Sequence, residues 1–364
     1  MKNFENSRSP LPVNSNASAD LESTAPPADE PITWTVIIAT HNRPAMLRRA
    51  VESALNQTRP CQIIVVDDAS TDETPSLLAT FPDVQTIRTE SSVGQSAANN
   101  LALPHATGTW IKFIDDDDWL TPDCLATMAH GLLQARRAGQ SPVIVTCRAQ
   151  DMTEQLQPLS MTPTIASEPV VMASRQLLNH MLRDQAPIGT PIQVACHRDT
   201  LRAIGGWGLR NKDGMTRSMD TNLWIRLVGA GDALFLPNQL AYRTRWNNCI
   251  SMSIQTHIYY RVNLCNKILI CEQLGVPFSA IVESALALHW SLVSVKRREI
   301  ESILRLSWKW LLRPAGILHY LRNRIPANLA ADLIPIQATP AQTFPTPAMA
   351  AAREVSLPIS QAAA

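Results

Sequence analysis

The sequence predicts an α/β protein: a mostly parallel sheet flanked by helices, followed by a helical C-terminal extension. Three observations carry that prediction. Short continuous apolar runs alternate with segments of helical spacing through the first half of the chain, the pattern of strands buried on both faces and joined by crossover helices. A polar cluster follows nearly every apolar run, at the carboxyl edge where open α/β sheets bind ligands. Beyond about residue 252 the pattern is helical, with basic and aromatic residues interleaved.

In chain order, residues 1–31 are rich in Ser, Asn, Asp and Pro and lack apolar periodicity, so they read as a disordered arm. The first strand is Trp34 to Ala39, ending in the polar turn Thr40 to Pro44. Met46, Leu47, Ala50, Val51, Ala54 and Leu55 then recur at helical spacing. Gln62 to Val66 is a second buried strand, and Asp67 to Asp72 follow it as a turn. Leu77 and Leu78 mark a short helix, Val84 to Arg88 a third strand, and Gln95 to Leu103 another helix. Trp110 to Ile114 is a fourth strand that runs directly into four aspartates. A main domain therefore spans 32–251, a helical extension 252–325, and an Ala/Pro-rich disordered tail 326–364.

Composition narrows the function. Lys+Arg 32 against Asp+Glu 31 leaves a net charge of +1, which argues against a dedicated nucleic-acid binder. Hydrophobic residues at 45% allow a sizeable core. The seven cysteines form no Cys-x-x-Cys pair and read as scattered thiols in a reducing compartment. No apolar run approaches the roughly 20 residues of a membrane span, and the N-terminus lacks the apolar core of a signal peptide. A soluble, cytoplasmic protein is expected.

The sharpest local signal is Asp115-Asp116-Asp117-Asp118-Trp119. Adjacent carboxylates repel, so gathering them is costly without a cation or strong donors. In extended backbone Asp115 and Asp117 project to one side and can share a hard divalent ion, Mg²⁺ or Mn²⁺. The competing reading is a solvated acidic turn, with Asp118 or Thr121 capping the helix that Pro122 begins. The Asp67 to Asp72 turn either presents a carboxylate to a base or ribose, or caps a helix. Gly94 is either an anion-binding turn ahead of a helix N-terminus or an ordinary turn glycine.

Taken together, these segments resemble the family 2 glycosyltransferases of the GT-A fold. The order is VIIATHNR (36–43), IVVDDASTD (64–72), VGQSAANN (93–100) and FIDDDDW (113–119). Further on, LRAIGGW (201–207), MDTNLWIRL (219–227) and the stretch from Leu236 to Arg243 match that family's later motifs in order. The resemblance implies a nucleotide-sugar donor, with Thr40, His41, Arg43, Asp67, Asn99 and Asp116 on the donor side. It implies Asp115 and Asp117 as ligands of Mg²⁺ or Mn²⁺, and Asp220 as the base that deprotonates an acceptor hydroxyl, with inversion at the sugar. It further implies Arg243 and Arg245 closing on the diphosphate, and Gly206 and Trp207 lining the acceptor site; for Trp207 core packing is an equal alternative. The acceptor expected is a glycan or lipid-linked sugar, in bacterial surface-polysaccharide synthesis.

Three departures stand out: Asn222 replaces a frequent aspartate of structural role, and two others bear on activity. Asn99 replaces an arginine common in the family, for which Arg43 or Arg88 could substitute, and Met219 replaces a common glutamate. They leave open a degenerate, non-catalytic nucleotide-sugar binder or scaffold. A nucleotidyltransferase ranks last, because Thr40 to Met46 lacks a glycine-rich phosphate loop. His197 reads as structural and Trp224 as core. In the extension, Lys296 to Arg324 interleaves basic residues with Trp308, Trp310 and Tyr320, suiting either an anionic membrane surface or a helix packed on the domain.

Overall fold

The run WTVIIAT forms β1 (Trp34–Thr40), the strand around which the sheet is arranged. The computed structural model describes residues 26–27, 29–182, 188–210, 216, 218–246, 255–311, 315 and 334–335. Successive side chains of β1 enter opposite layers: Val36 and Ile38 join one apolar cluster and Ile37 the other. Alternation within a fully apolar run is what a central strand buried on both faces requires.

Helix α1 (Pro44–Leu55) begins with Pro44 in its first turn and buries Leu47, Ala50, Val51 and Ala54 under β1. Emptying one such leucine position costs about 2–5 kcal/mol. The chain continues through β2 (Cys61–Asp67), the short α2 (Thr74–Leu78), β3 (Gln85–Arg88) and α3 (Gln95–Ala102) to β4 (Trp110–Asp115). β2 and β4 pair with β1 in parallel, and β3 pairs with β2 in parallel. In that register Thr40 lies beside Asp67, and Ala39 beside Asp115. The acidic and hydroxyl residues picked out by sequence therefore share one edge.

After β5 (Trp119–Leu120), α4 (Cys124–Arg137) covers the same layer as α1, with Leu125, Met128 and Leu132 buried. Next come β6 (Ile144–Thr153), β7 (Pro158–Met161), β8 (Val170–Met172) and α5 (Ser174–Leu182). They are followed by β9 (Val194–His197), α6 (Arg198–Ala203), α7 (Met219–Ala230) and β10 (Ala233–Arg245). β9 runs antiparallel between β4 and β6, and β6 and β10 are parallel. Val194 to His197 thus forms a buried sheet strand.

The extension is helical as expected: α8 (Thr256–Leu274), α9 (Ala280–Arg297) and α10 (Ile300–Leu311). No helix among the described residues is long and apolar enough to cross a membrane. Two boundaries shift. Glu30 and Pro31 are tied to the domain, since Thr109 Oγ1 donates to Pro31 O at 2.8 Å and Glu30 contacts His197. Within the expected tail, β11 (Ile334–Pro335) pairs antiparallel with β8. Residues 1–25, most of the basic stretch beyond Leu311, and most of the tail lie outside the described residues.

Candidate active site

Three strand ends supply the first wall of the site. At β1, Thr40 Oγ1 donates to Asp116 Oδ2 at 2.9 Å, and His41 Nδ1 lies 2.6 Å from Asp68 O. At β2, Asp67 is buried, accepting from Ser70 N at 2.9 Å and pairing with the Arg88 guanidinium. Asp68, its neighbour, receives four donors: Val93 N at 2.7 Å, Gly94 N and Ser92 Oγ at 2.8 Å, and Thr89 Oγ1 at 3.1 Å. Burial alone would raise this carboxyl, but those donors hold it below its ordinary value. Asp68 thereby folds the loop from Thr89 to Gly94 over the end of β2, and Gly94 turns it at φ +83°.

The four aspartates form a turn closed by Asp118 N donating to Asp115 O at 3.0 Å. Each has a different task. Asp118 is buried and accepts Thr244 N at 2.8 Å, tying the turn to the end of β10. Asp116 takes Thr40 and a 2.9 Å bond from Arg43 Nη1. Asp117 accepts the Trp246 indole N–H at 3.1 Å on Oδ2, with Arg43 3.6 Å away and its guanidinium carbon 5.0 Å from the Trp246 ring centre. Asp117 O accepts Arg49 Nη2 at 2.7 Å and the Thr244 hydroxyl. Arg49 in turn lies over Trp119 at 3.8 Å, and Trp119 stacks on Tyr242 at 4.9 Å. Asp115 accepts the Gln95 amide at 2.5 Å on Oδ1.

Charge is crowded here. Burial, then Asp117, Asp220 and Asp116, push the Asp115 carboxyl up to about 8. Burial together with Asp117 and Asp115 raises Asp118 well above the usual carboxylate range. Burial raises Asp116 as well, against the pull of Arg43. Asp115 Oδ2 and Asp117 Oδ1 accept no hydrogen bond from the described residues. Oxygen ligands under mutual repulsion, with lone pairs free, fit a hard divalent cation.

Asp220 opens α7 and is close enough to raise the Asp115 carboxyl. Its own carboxyl is raised by burial, against the Thr221 N–H that Oδ1 accepts at 2.7 Å. Asn99 is buried on α3 one turn beyond Gln95, and its side chain has no hydrogen-bond partner among the described residues. Strand ends and the α7 terminus thus gather Thr40, His41, Arg43, Asp67, Asp115, Asp116, Asp117 and Asp220 at the sheet's carboxyl edge.

Other expected residues are placed differently. Arg243 forks onto Asp151, Nε to Oδ1 at 2.7 Å and Nη2 to Oδ2 at 3.1 Å, and Arg245 reaches the same carboxylate at 3.2 Å. Both guanidiniums are thus engaged across the β6–β10 pairing rather than open to a diphosphate. Trp207 is 2% exposed, edge-on to Phe113 at 5.1 Å and to Trp224 at 6.1 Å, and has no face for a sugar. Its acceptor role gives way to core packing. Gly206 (φ +69°) is demanded by Asn100, whose Oδ1 would lie 2.6 Å from an added Cβ. The Asn100 amide brackets Trp207 through its backbone N and O at 2.8 and 2.9 Å. Met219 is buried, its methyl against Gly208.

A second charged cluster sits at the opposite edge. Ligand atoms of Glu30, His197 and Asp199 lie within 4.8 Å of one another. Guanidiniums already serve it: Arg136 lies 3.7 Å from Glu30, and Arg198 bonds Asp199 at 2.7 Å. Burial lowers the His197 pKa despite Glu30, which keeps its ring neutral near pH 7. This is an ion-pair cluster that fastens the start of the chain to β9.

Residues 35–205 match the family model described as glycosyl transferase family 2. The succinoglycan biosynthesis protein ExoO of Rhizobium meliloti is 39% identical over 107 residues, 28% of this chain and 31% of its own length. An Escherichia coli protein named UDP-Glc:alpha-D-GlcNAc-diphosphoundecaprenol beta-1,3-glucosyltransferase WfaP is 38% identical over 99 residues, 26% of this chain and 39% of its own. The chain thus spans about a third of the length of these relatives. Staphylococcus aureus TarS 1–349, solved with UDP-GlcNAc, superimposes with a TM-score of 0.55 at 15% identity, over 82% of this chain and 83% of that one. Residues 35–205 are therefore a glycosyl transferase family 2 domain, and the architecture is the GT-A fold.

Proposed function

We propose that this family 2 domain makes the chain an inverting, metal-dependent glycosyltransferase, moving a sugar from a nucleotide-sugar donor to a hydroxyl of a glycan or lipid-linked acceptor. The observation that carries it is the approach of Asp220 to the Asp115–Asp118 turn, a base beside an uncompensated carboxylate cluster. Thr40, His41, Asp67 and Asn99 would line the nucleoside side. Asp115 and Asp117 would hold Mg²⁺ or Mn²⁺, which neutralises charge developing on the departing nucleoside diphosphate. Asp220 removes the acceptor proton as the acceptor oxygen bonds the anomeric carbon and the bond to the phosphate oxygen breaks. Attack from the face opposite the leaving group inverts that carbon.

Arg43 holds Asp116 and Asp117 in place and stays charged against burial, so it is the cation nearest an incoming diphosphate on the α1 side. Arg243 and Arg245 would reach phosphate only on leaving Asp151. Met219 has a packing role, so the missing glutamate does not by itself disarm the site.

The relatives include proteins named for succinoglycan synthesis and for action on undecaprenol-linked sugars, which supports bacterial polysaccharide synthesis at the cytoplasmic face of a membrane. The segment 296–324 is the proposed point of contact with anionic lipid. Calorimetry with UDP, GDP, CDP and dTDP, each with Mn²⁺ and with EDTA, tests the donor site. Metal-dependent binding of one nucleotide is expected; no binding by folded protein would favour a degenerate scaffold of the same fold.

A further inference from the structure

The Asp115–Asp118 turn offers a cation fewer oxygens than its four carboxylates suggest. Asp116 has both of its oxygens spent, Oδ1 on Arg43 Nη1 and Oδ2 on Thr40 Oγ1, each at 2.9 Å. Asp118 spends Oδ1 on Thr244 N at 2.8 Å. The two carboxylates read as ligands each lose one oxygen as well, to side chains from different elements. Gln95, at the start of α3, gives its amide to Asp115 Oδ1 at 2.5 Å. Trp246, just past the end of β10, gives its indole N–H to Asp117 Oδ2 at 3.1 Å.

Both donors are anchored. The Arg43 guanidinium lies 5.0 Å from the centre of the Trp246 ring and 3.6 Å from Asp117 Oδ2, so that oxygen is held from two sides. Two residues before Trp246, Thr244 gives its N–H to Asp118 and its hydroxyl to Asp117 O, which bonds the strand end and the aspartate turn into one piece. Gln95 follows Gly94, and Asp68 takes the N–H groups of Val93 and Gly94 at 2.7 and 2.8 Å, fixing where α3 begins. Two oxygens remain. Asp115 Oδ2 and Asp117 Oδ1 accept no hydrogen bond from the described residues.

We propose that Gln95 and Trp246 are positioning residues that limit Asp115 and Asp117 to one oxygen each, and so set the site for Mg²⁺ or Mn²⁺ against Ca²⁺. The small ions keep a tight octahedron, in which one or two carboxylate oxygens suffice because water and substrate phosphates complete the shell. Ca²⁺ gathers roughly 6–8 oxygens and fills that number by taking carboxylates through both oxygens. Here the second oxygen of each ligand is already bonded, so a bidentate grip must first displace the Gln95 amide or the Trp246 indole. The inference rests on the transferase reading above, which makes Asp115 and Asp117 the ligands.

The test is electron paramagnetic resonance of Mn²⁺ bound to the full chain, in the presence of UDP, GDP, CDP or dTDP, with Ca²⁺ titrated in as competitor. Wild type should release Mn²⁺ only to a large excess of Ca²⁺. Gln95→Met and Trp246→Phe each remove one N–H and keep the bulk of the side chain. Either change should weaken Mn²⁺ about 10-fold, the scale of losing a bond behind a metal ligand, while Ca²⁺ binds as before or tighter. A purely structural role would weaken both ions alike. Gln95 is exposed, so its variant keeps the fold and decides the matter even if Trp246→Phe does not fold. Wild type that holds Ca²⁺ as tightly as Mn²⁺, or a preference unchanged in the folded variants, would overturn the inference and leave the transferase reading standing. Folded wild type that binds no Mn²⁺ with any of the four nucleotides would overturn both.

Discussion

The two ends of this sheet handle charge in opposite ways. At the carboxyl edge, Asp115, Asp116, Asp117, Asp118 and Asp220 converge near the guanidiniums of Arg43 and Arg49 and that of Arg243, which is already bonded to Asp151. At the other edge, Glu30 and Asp199 are met by Arg136, Arg198 and Arg202, with His197 between them. Both clusters contain the residue types that bind metals. Only the first carries unbalanced charge, visible as Asp115 driven up to about 8, whereas Asp199 is held below its ordinary value by the Arg198 bond, against burial. Balanced charge holds a fold together; unbalanced charge is kept where a ligand completes the balance.

The strongest way to break this contrast is Asp220→Asn. If the carboxylate is the base, transfer should fall by about 10²–10⁴ while Mn²⁺-dependent nucleotide binding stays near wild type. Turnover within a few-fold of wild type, measured as released nucleoside diphosphate, would remove Asp220 from the reaction.

Asp115→Asn sharpens the contrast through stability. Removing a carboxyl whose ionised form burial and its neighbours disfavour should raise the melting temperature in EDTA at neutral pH by a few degrees, since about 1 kcal/mol moves it roughly 2–4 °C in a domain of this size. The same substitution should erase the stabilisation that Mn²⁺ with nucleotide gives the wild type. At the opposite edge, Glu30→Gln should do the reverse. It should lower stability by about 1–3 kcal/mol, by weakening bonds to His197 and Arg136, and leave nucleotide binding alone. Differential scanning fluorimetry of both variants decides the matter, and shifts of the same sign would dissolve the distinction.

Much of the carboxyl edge was legible in the chain. A parallel strand buried on both faces must be continuously apolar, and a polar residue ends it, so WTVIIAT, QIIVV and WIKFI announce three strands and where each stops. Asp115 and Asp117 follow from their position at such an end. What stayed hidden depends on long-range pairing. Nothing local marks Asp151 as the partner of Arg243, since 92 residues separate them and the β6–β10 register alone joins them. Arg49 and Trp246 were missed for the same reason: each reaches Asp117 from a distant element. Asp68 carried a signal, a second carboxylate beside Asp67 ahead of Ser92 and Gly94, but only the folded loop shows four donors meeting it. Trp207 shows the limit of motif reading, because a glycine-aromatic segment looks the same whether its ring faces a sugar or Phe113.

The smallest expected effect concerns the extension, where apolar and basic side chains share an exposed corner. Ile300 is 72% and Leu304 70% exposed, one helical turn apart on α10, while Ser302 and Leu306 on the same helix are buried. At the end of α9, Val295 is 58% exposed beside exposed Lys296, Arg297 and Arg298. A stripe of this kind costs little in water but gains both apolar burial and charge attraction at an anionic bilayer, at about 1 kcal/mol for each basic residue near the surface. The double variant Ile300→Glu/Leu304→Glu should therefore sediment several-fold less with vesicles rich in anionic phospholipid, and Lys296→Glu should weaken sedimentation further at low salt. Neither change touches Asp115, Asp117 or Asp220, so nucleotide binding should hold. Sedimentation unchanged in both variants would mean that this corner meets water alone, and that the extension gives the charge imbalance at the carboxyl edge no counterpart at a bilayer.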